Sequence, residues 1–265
     1  MEKMNYLIIC PVRCGSSWLN HTLETHYKLY NVGERLCKIA PGIMEEGMQK
    51  DLMGMQNKKG LQYMGNQFYK VIENSSNEYK KNLMILHNLD KGLRSQTREQ
   101  QIQHCKDNGP FVAKFTCWDL YEDDNHKYGV GFNYEELLEK WAPLTTIFLY
   151  RKNFVEHFLS FLAYHQTGIG NASSQFMQYN RPKIKYDDYF INYHKLHMEI
   201  MLKCYREHKF DYTVAYEDLF KMDKLGDIPL KQYHEQFTFK LNKYTREEKD
   251  EVIRRTGYSE NYEIY

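Results

Sequence analysis

Apolar residues run along this chain in two rhythms. Tyr6–Cys10 (Tyr-Leu-Ile-Ile-Cys) is a short unbroken apolar run, the pattern of a strand covered on both faces. A turn holding Pro11 and Gly15 follows it. Ser17–Tyr30 then takes up helical spacing, with Leu19, Leu23, Tyr27 and Tyr30 on one face, and Asn31-Val32-Gly33 is expected to stop it. From Leu36 to about Asn108 the chain is rich in Met, Lys and Gln, and helices are expected there. Phe111–Thr116 reads as a second strand. Tyr134–Trp141 reads as a helix ended by Pro143. Thr145–Tyr150 (Thr-Thr-Ile-Phe-Leu-Tyr) is the clearest strand in the chain. Phe154–His165 carries an apolar helical stripe through Phe154, Val155, Phe158, Leu159 and Leu162. Tyr186–Glu207 is a longer helix, Tyr212–Tyr216 a strand, and Thr245–Thr256 a last helix whose start, Thr-Arg-Glu-Glu, has the form of a capping box.

Strands that alternate with helices predict an α/β fold: a mainly parallel central sheet flanked by helices on both faces. No repeat and no Pro/Gly linker divides the chain. It is expected to be a single domain over 1–265, with a helical insertion of unassigned role at about 36–108. In such sheets ligands bind beyond the carboxyl ends of the strands, so the segments that follow strands are where chemistry is to be sought.

Composition narrows the classes. Of the 265 residues 42% are apolar, a figure that includes 23 tyrosines and still leaves enough to build a core. Lys and Arg number 36 against 35 Asp and Glu, a net charge of +1, so the basic excess of a general nucleic-acid binder is missing and no nucleic-acid partner is expected. No apolar run approaches the ~20 residues of a membrane span. Met-Glu-Lys-Met leads into the first strand without a small-residue cleavage site, so a cytoplasmic location is expected. The six cysteines (Cys10, Cys14, Cys37, Cys105, Cys117, Cys204) show no C-x-x-C spacing and the eleven histidines no H-E-x-x-H; reduced thiols and no metal are expected.

The first strand-to-helix turn is Pro11-Val12-Arg13-Cys14-Gly15-Ser16-Ser17-Trp18-Leu19. A glycine, two hydroxyls and a helix N-terminus offer backbone N–H groups and a dipole to an anion, and Arg13 adds a planar positive fork suited to phosphate or sulfate. An ordinary turn with a surface arginine uses the same residues. The nucleoside-triphosphate pattern G-x-x-x-x-G-K-[ST] is absent, which argues against a magnesium-dependent NTPase. After the clearest strand comes Arg151-Lys152-Asn153-Phe154-Val155-Glu156-His157-Phe158-Leu159-Ser160. An arginine at a strand end and a hydroxyl on the next helix can converge on one phosphate; equally, they can be a surface charge and a helix contact.

The first turn resembles the 5′-phosphosulfate loop of the sulfotransferases that use 3′-phosphoadenosine 5′-phosphosulfate (PAPS), P-[RK]-S-G-[ST]-[ST]-x-L, with Cys14 where serine is usual. The second segment is similar to that family's 3′-phosphate motif. Its serine comes nine residues after the arginine, and with Asn153 and the trailing Gln166-Thr167-Gly168 it looks most like the branch containing bacterial trehalose sulfotransferases. The N-P pair of the cytosolic branch is missing. Val214-Ala215-Tyr216-Glu217-Asp218-Leu219 resembles a third segment, whose tyrosine can stack on adenine or simply pack in the core. Arg254-Arg255-Thr256-Gly257-Tyr258 loosely resembles the family's terminal phosphate clasp.

The resemblance implies the P-loop-like sulfotransferase fold, PAPS as co-substrate with PAP as product, and no metal. It implies that Arg13, Cys14, Gly15, Ser16, Ser17 and Trp18 hold the 5′-phosphosulfate, that Arg151 and Ser160 hold the 3′-phosphate, and that Tyr216 and Arg255 complete the nucleotide site. The cytosolic branch takes its base from a Lys-Thr-His sequence; the comparable stretch here, Val112-Ala113-Lys114-Phe115-Thr116, has no histidine. Other branches supply a glutamate after the first helix, and Glu34, twenty-one residues past Arg13, stands in that position. His21 and His26 are the other candidates. The thiol of Cys14, beside Arg13 and a helix N-terminus, is expected to have a lowered pKa. The implied partner is a small-molecule or glycan hydroxyl, a carbohydrate or glycolipid, with Arg13 steadying charge on the bridging oxygen. A PAP-binding protein without turnover and a kinase-like phosphoryl transferase are the alternatives.

Overall fold

The first apolar run, Asn5–Cys10 (β1), lies at the centre of a five-stranded sheet. The computed structural model describes residues 4–33, 98–120, 133–167, 184–231 and 244–264. Around β1 stand Tyr30–Gly33 (β2), Phe111–Thr116 (β3), Leu144–Tyr150 (β4) and Tyr212–Ala215 (β5), in the order β2-β3-β1-β4-β5. Every neighbouring pair in this sheet is parallel, as the alternation of strands and helices predicts. A separate hairpin pairs Lys224–Leu225 (β6) with Ile228–Pro229 (β7) in antiparallel fashion.

The pleat sorts β1 between two layers. Leu7 and Ile9 enter a core with Phe111, Phe115, Trp141, Phe148 and Met201. Tyr6, Ile8 and Cys10 enter the opposite core with Trp18, Leu19, Leu23, Ile147 and Leu149. Leu7, Ile8 and Ile9 are fully buried, each contributing roughly 1.5–3 kcal/mol relative to exposure. Helix Ser16–Tyr27 (α1) supplies the second layer. The first is built from Tyr134–Lys140 (α3) and Asp188–Glu207 (α5). Phe154–Thr167 (α4) packs with α5 and with Arg246–Thr256 (α7) through Val155, Phe158, Leu162, Ile191 and Val252. The α7 capping box forms as its sequence predicts: Thr245 accepts from Glu248 N–H and Glu248 from Thr245 N–H.

Three expectations need correction. The first helix stops at Tyr27, where Lys28 takes a left-handed φ of 53°, and Tyr30–Gly33 is a strand rather than a helix end and stop. Pairing with the open edge of β3 overrides the helical spacing that Tyr30 shares with Tyr27. The long helix begins at Asp188, after Asp187 caps Tyr189 N–H at 2.8 Å, not at Tyr186. The last core strand ends at Ala215, and Tyr216–Leu219 (α6) is a single helical turn. Of the 36–108 segment the described part is helix Arg98–Asp107 (α2) and the residue that follows it; the rest lies outside the described residues, as does Glu34.

The topology places one crevice. The connection leaving β1 leads to β2 on one side of the sheet, and the connection leaving β4 leads to β5 on the other. β1 and β4 are adjacent, so their carboxyl ends flank the point where the strand order reverses, the usual ligand position in such sheets.

Candidate functional site

The loop between β1 and α1 turns sharply. Arg13 has φ 67° and Gly15 φ 76°, the left-handed region that costs a non-glycine residue on the order of 1–2 kcal/mol. Gly15 is required twice over: a Cβ there would lie 2.3 Å from a ring carbon of Tyr216. Helix α1 then begins without a side-chain cap; Trp18 N–H is taken by Gly15 O at 3.0 Å, and the positive end of the helix dipole lies at this loop. Ser16 is buried and Ser17 exposed. Trp18 is buried against Phe220, ring centroids 5.0 Å apart, so its indole serves the core layer.

The two anion segments meet. Arg13 Nε donates to Ser160 Oγ at 3.3 Å, joining residues from the loop after β1 and the helix after β4. Arg151 stands at the end of β4 with its side chain 11% exposed. Its Nε is buried and has no hydrogen-bond acceptor among the described residues, although the guanidinium is ion-paired with Glu217, 3.6 Å from Nε, and with Glu156, 3.7 Å from a terminal nitrogen. Its guanidinium carbon lies 4.9 Å from the centroid of the Tyr216 ring. A buried N–H without a hydrogen-bond acceptor costs free energy unless a ligand oxygen completes it.

The turn that carries Arg151 is fixed from β5. The Glu217 carboxylate accepts from Lys152 N–H at 2.9 Å and Asn153 N–H at 3.1 Å, and Asp218 pairs with Lys152 Nζ at 2.7 Å. Asn153 Oδ1 caps α4 by accepting from Glu156 N–H. Tyr216 is therefore held between Gly15, Phe220 and Arg151. Burial pushes its phenol pKa up, against the pull of Arg151.

Two side chains at the loop escape sequence reasoning. Lys114, in the middle of β3, shares the α1 face of the sheet with Val112, is buried, and donates from Nζ to Ser17 Oγ at 3.1 Å. It brings a third cation to the loop. Strand alternation around Phe111, Ala113 and Phe115 was the signal that could have found it. His157, one helical turn before Ser160 on α4, is fully buried and bonds the Val12 carbonyl at 2.5 Å. Its pKa falls from 6.5 to about 3, chiefly through burial, then through Arg151 and, less, Arg13; the bond to Val12 opposes the shift.

The expected activation of Cys14 does not occur: its thiol is fully buried, faces the Pro11 carbonyl, and is pushed up by burial and by Cys10, which outweigh Arg151 and Lys114. Arg255 bonds Glu251 and lies 5.6 Å from the Tyr186 ring centroid. His21 pairs with Glu24 on the exposed side of α1. His26 lines a cavity of about 630 Å³ at the amino ends of the strands, with Tyr6, Tyr27, Tyr212, Asp211 and Asp227.

No family model matches the chain, and no curated protein matches it. Among solved structures it is similar to one described as a sulfotransferase domain from the curacin biosynthetic pathway. That similarity has 13% identity over 96% of this chain and 98% of the other, with a TM-score of 0.40. A likeness of that size assigns neither activity nor ligand.

Proposed function

We propose that this chain is a sulfotransferase, moving the sulfuryl group of PAPS to a hydroxyl of a carbohydrate or glycolipid acceptor. The observation that carries the reading is the meeting of Arg13 with Ser160 near the buried Arg151, whose Nε lacks a hydrogen-bond acceptor among the described residues, at the carboxyl ends of β1 and β4. A bisphosphorylated nucleotide would supply an acceptor oxygen to the Arg151 Nε, and charge-assisted bonds to phosphate are the strong ones. In this reading Arg151 and Ser160 hold the 3′-phosphate. Gly15, Ser16, Ser17 and the α1 N-terminus hold the 5′-phosphosulfate, with Arg13 between the two groups.

The acceptor oxygen attacks sulfur, the bond from sulfur to the bridging phosphate oxygen breaks, PAP leaves, and the acceptor proton passes to a base. Charge grows on the bridging oxygen, where Arg13 and Lys114 stabilise it as fixed cations. Glu34 is the proposed base and Tyr216 the proposed wall of the adenine site; Arg255 is proposed to approach the nucleotide from the chain end. No step calls on a metal, because fixed cations and backbone donors carry the charge that magnesium carries in phosphoryl transfer. The buried Cys14 contributes its backbone N–H rather than its thiol.

The test is ligand-linked stability. PAP should raise the unfolding temperature because it binds the native state alone, whereas ATP with magnesium should raise it far less. Equal shifts from the two would favour a kinase-like site. A PAP shift without sulfation of any member of a sugar panel would leave a binding protein.

A further inference from the structure

The charged loop is fastened from behind by a chain of buried side chains that the transfer chemistry does not use. His157 bonds the Val12 carbonyl at 2.5 Å, His194 Nε2 lies 2.9 Å from His157 Nδ1, and Tyr258 Oη lies 2.8 Å from His194 Nδ1. Both imidazoles are 1% exposed or less. The three residues come from α4, α5 and the segment after α7. That last segment is tied to the start of α4 twice more: Phe154 N–H donates to Ser259 O at 3.2 Å, and Tyr262 N–H to Lys152 O at 2.8 Å, with the Tyr262 ring stacked on Phe154 at 4.4 Å.

One end of the chain fixes the direction of every proton in it. A carbonyl oxygen only accepts, so His157 donates from Nε2, and a neutral imidazole then accepts at Nδ1. His194 must donate from Nε2 to fill that site, and its own Nδ1 accepts from the Tyr258 hydroxyl. The low pKa of His157, about 3, keeps it neutral and the order intact. The loop end matters because Arg13, next to Val12, is held at φ 67°. A residue in that region persists where its surroundings over-determine it. Helix α4 does so at two successive residues, His157 on Val12 and, one helical turn on, Ser160 on Arg13.

We infer that Tyr258, His194 and His157 form a one-way hydrogen-bonded latch through which the C-terminal segment holds the loop of Arg13 in its anion-binding conformation. They are positioning residues: none touches the crevice's reacting groups, and each acts through the Val12 carbonyl. For the identity of the ligand this rests on the donor-site reading above; for the state of the loop it does not.

Tyr258→Phe removes one hydroxyl and keeps the ring, so the fold should survive. In nitrogen-15 NMR of the wild-type chain, His157 and His194 should both carry the proton on Nε2, and His157 should not titrate between pH 7 and 4. In Tyr258→Phe, hydrogen exchange of the Arg13–Ser17 amides should rise roughly three- to tenfold, the range for one lost hydrogen bond, with β3 unchanged. PAP affinity should fall by a similar factor while turnover at saturation is retained. A proton on Nδ1 of His157, or loop exchange unchanged in Tyr258→Phe, would overturn the latch. If the wild-type chain binds no PAP, the donor-site reading fails, and the tautomer and exchange measurements still decide the latch.

Discussion

The two ends of the sheet use polar groups in opposite ways. At the amino ends most are spent on joining strands, though the buried Trp141 Nε1 has no partner among the described residues. Asn5 donates to Trp141 O at 2.9 Å and accepts from Phe111 N–H at 3.1 Å, joining the starts of β1 and β3. Asp211 accepts from both Thr146 N–H and Thr146 Oγ, and Thr146 Oγ accepts in turn from Asp211 N–H, which clamps β4 to β5. At the carboxyl ends the cations Arg13, Lys114 and Arg151 gather, and the buried Nε of Arg151 has no hydrogen-bond acceptor among the described residues. One end is arranged for stability. The other gathers positive charge of the kind that an anionic ligand completes. The cavity at the amino end does not change this contrast, since its Asp211 is already committed to Thr146.

That contrast breaks in different ways under substitution. The largest expected effect is at Glu34, proposed to face the acceptor. Glu34→Gln should lower turnover by about 10²–10⁴, the span for losing a general base, and leave PAP affinity near wild type. Weakened PAP binding with intact turnover at saturation would make Glu34 a structural residue. Gly15→Ala comes next. It meets Tyr216 at 2.3 Å at φ 76°, and overpacking with left-handed strain should cost roughly 2–5 kcal/mol of stability by urea unfolding, together with PAP binding. At the other end Asp211→Asn should cost about 1–3 kcal/mol of stability, through the charged hydrogen bonds it weakens, and leave PAP affinity unchanged. A loss of affinity there comparable with its loss of stability would show that the two ends are not separate in function.

The sheet was legible because both of its faces are covered, so β1, β3 and β4 are apolar runs that no other element imitates. β2 was not: Tyr-Asn-Val-Gly is short and half polar, and only the exposed edge of β3 makes it a strand. Arg13, Arg151 and Ser160 could be named from motif spacing, but their meeting is a product of topology. Lys114 stands in a stretch that the motif comparison tests only for a histidine; the strand alternation that puts it on the loop's face of the sheet is its one signal. The latch could not be read at all, since His157, His194 and Tyr258 are far apart in the chain and are aligned only by the packing of α4, α5 and the C-terminal segment. Cys14 was placed correctly in the loop, yet its thiol was assigned the wrong direction of shift, because burial, which the sequence does not show, outweighs the nearby cations.

The central claim is that the crevice between β1 and β4 binds a nucleotide through a 3′-phosphate held by Arg151. Calorimetric titration of PAP, and of adenosine 5′-phosphate as the analogue lacking the 3′-phosphate, into wild type and Arg151→Ala tests it most directly. The account predicts that wild type prefers PAP and that Arg151→Ala weakens PAP about tenfold or more, the equivalent of one charge-assisted bond of roughly 1.5–3 kcal/mol. The analogue should be scarcely affected. Equal affinity of wild type for both ligands, or PAP binding unchanged in Arg151→Ala, would contradict it.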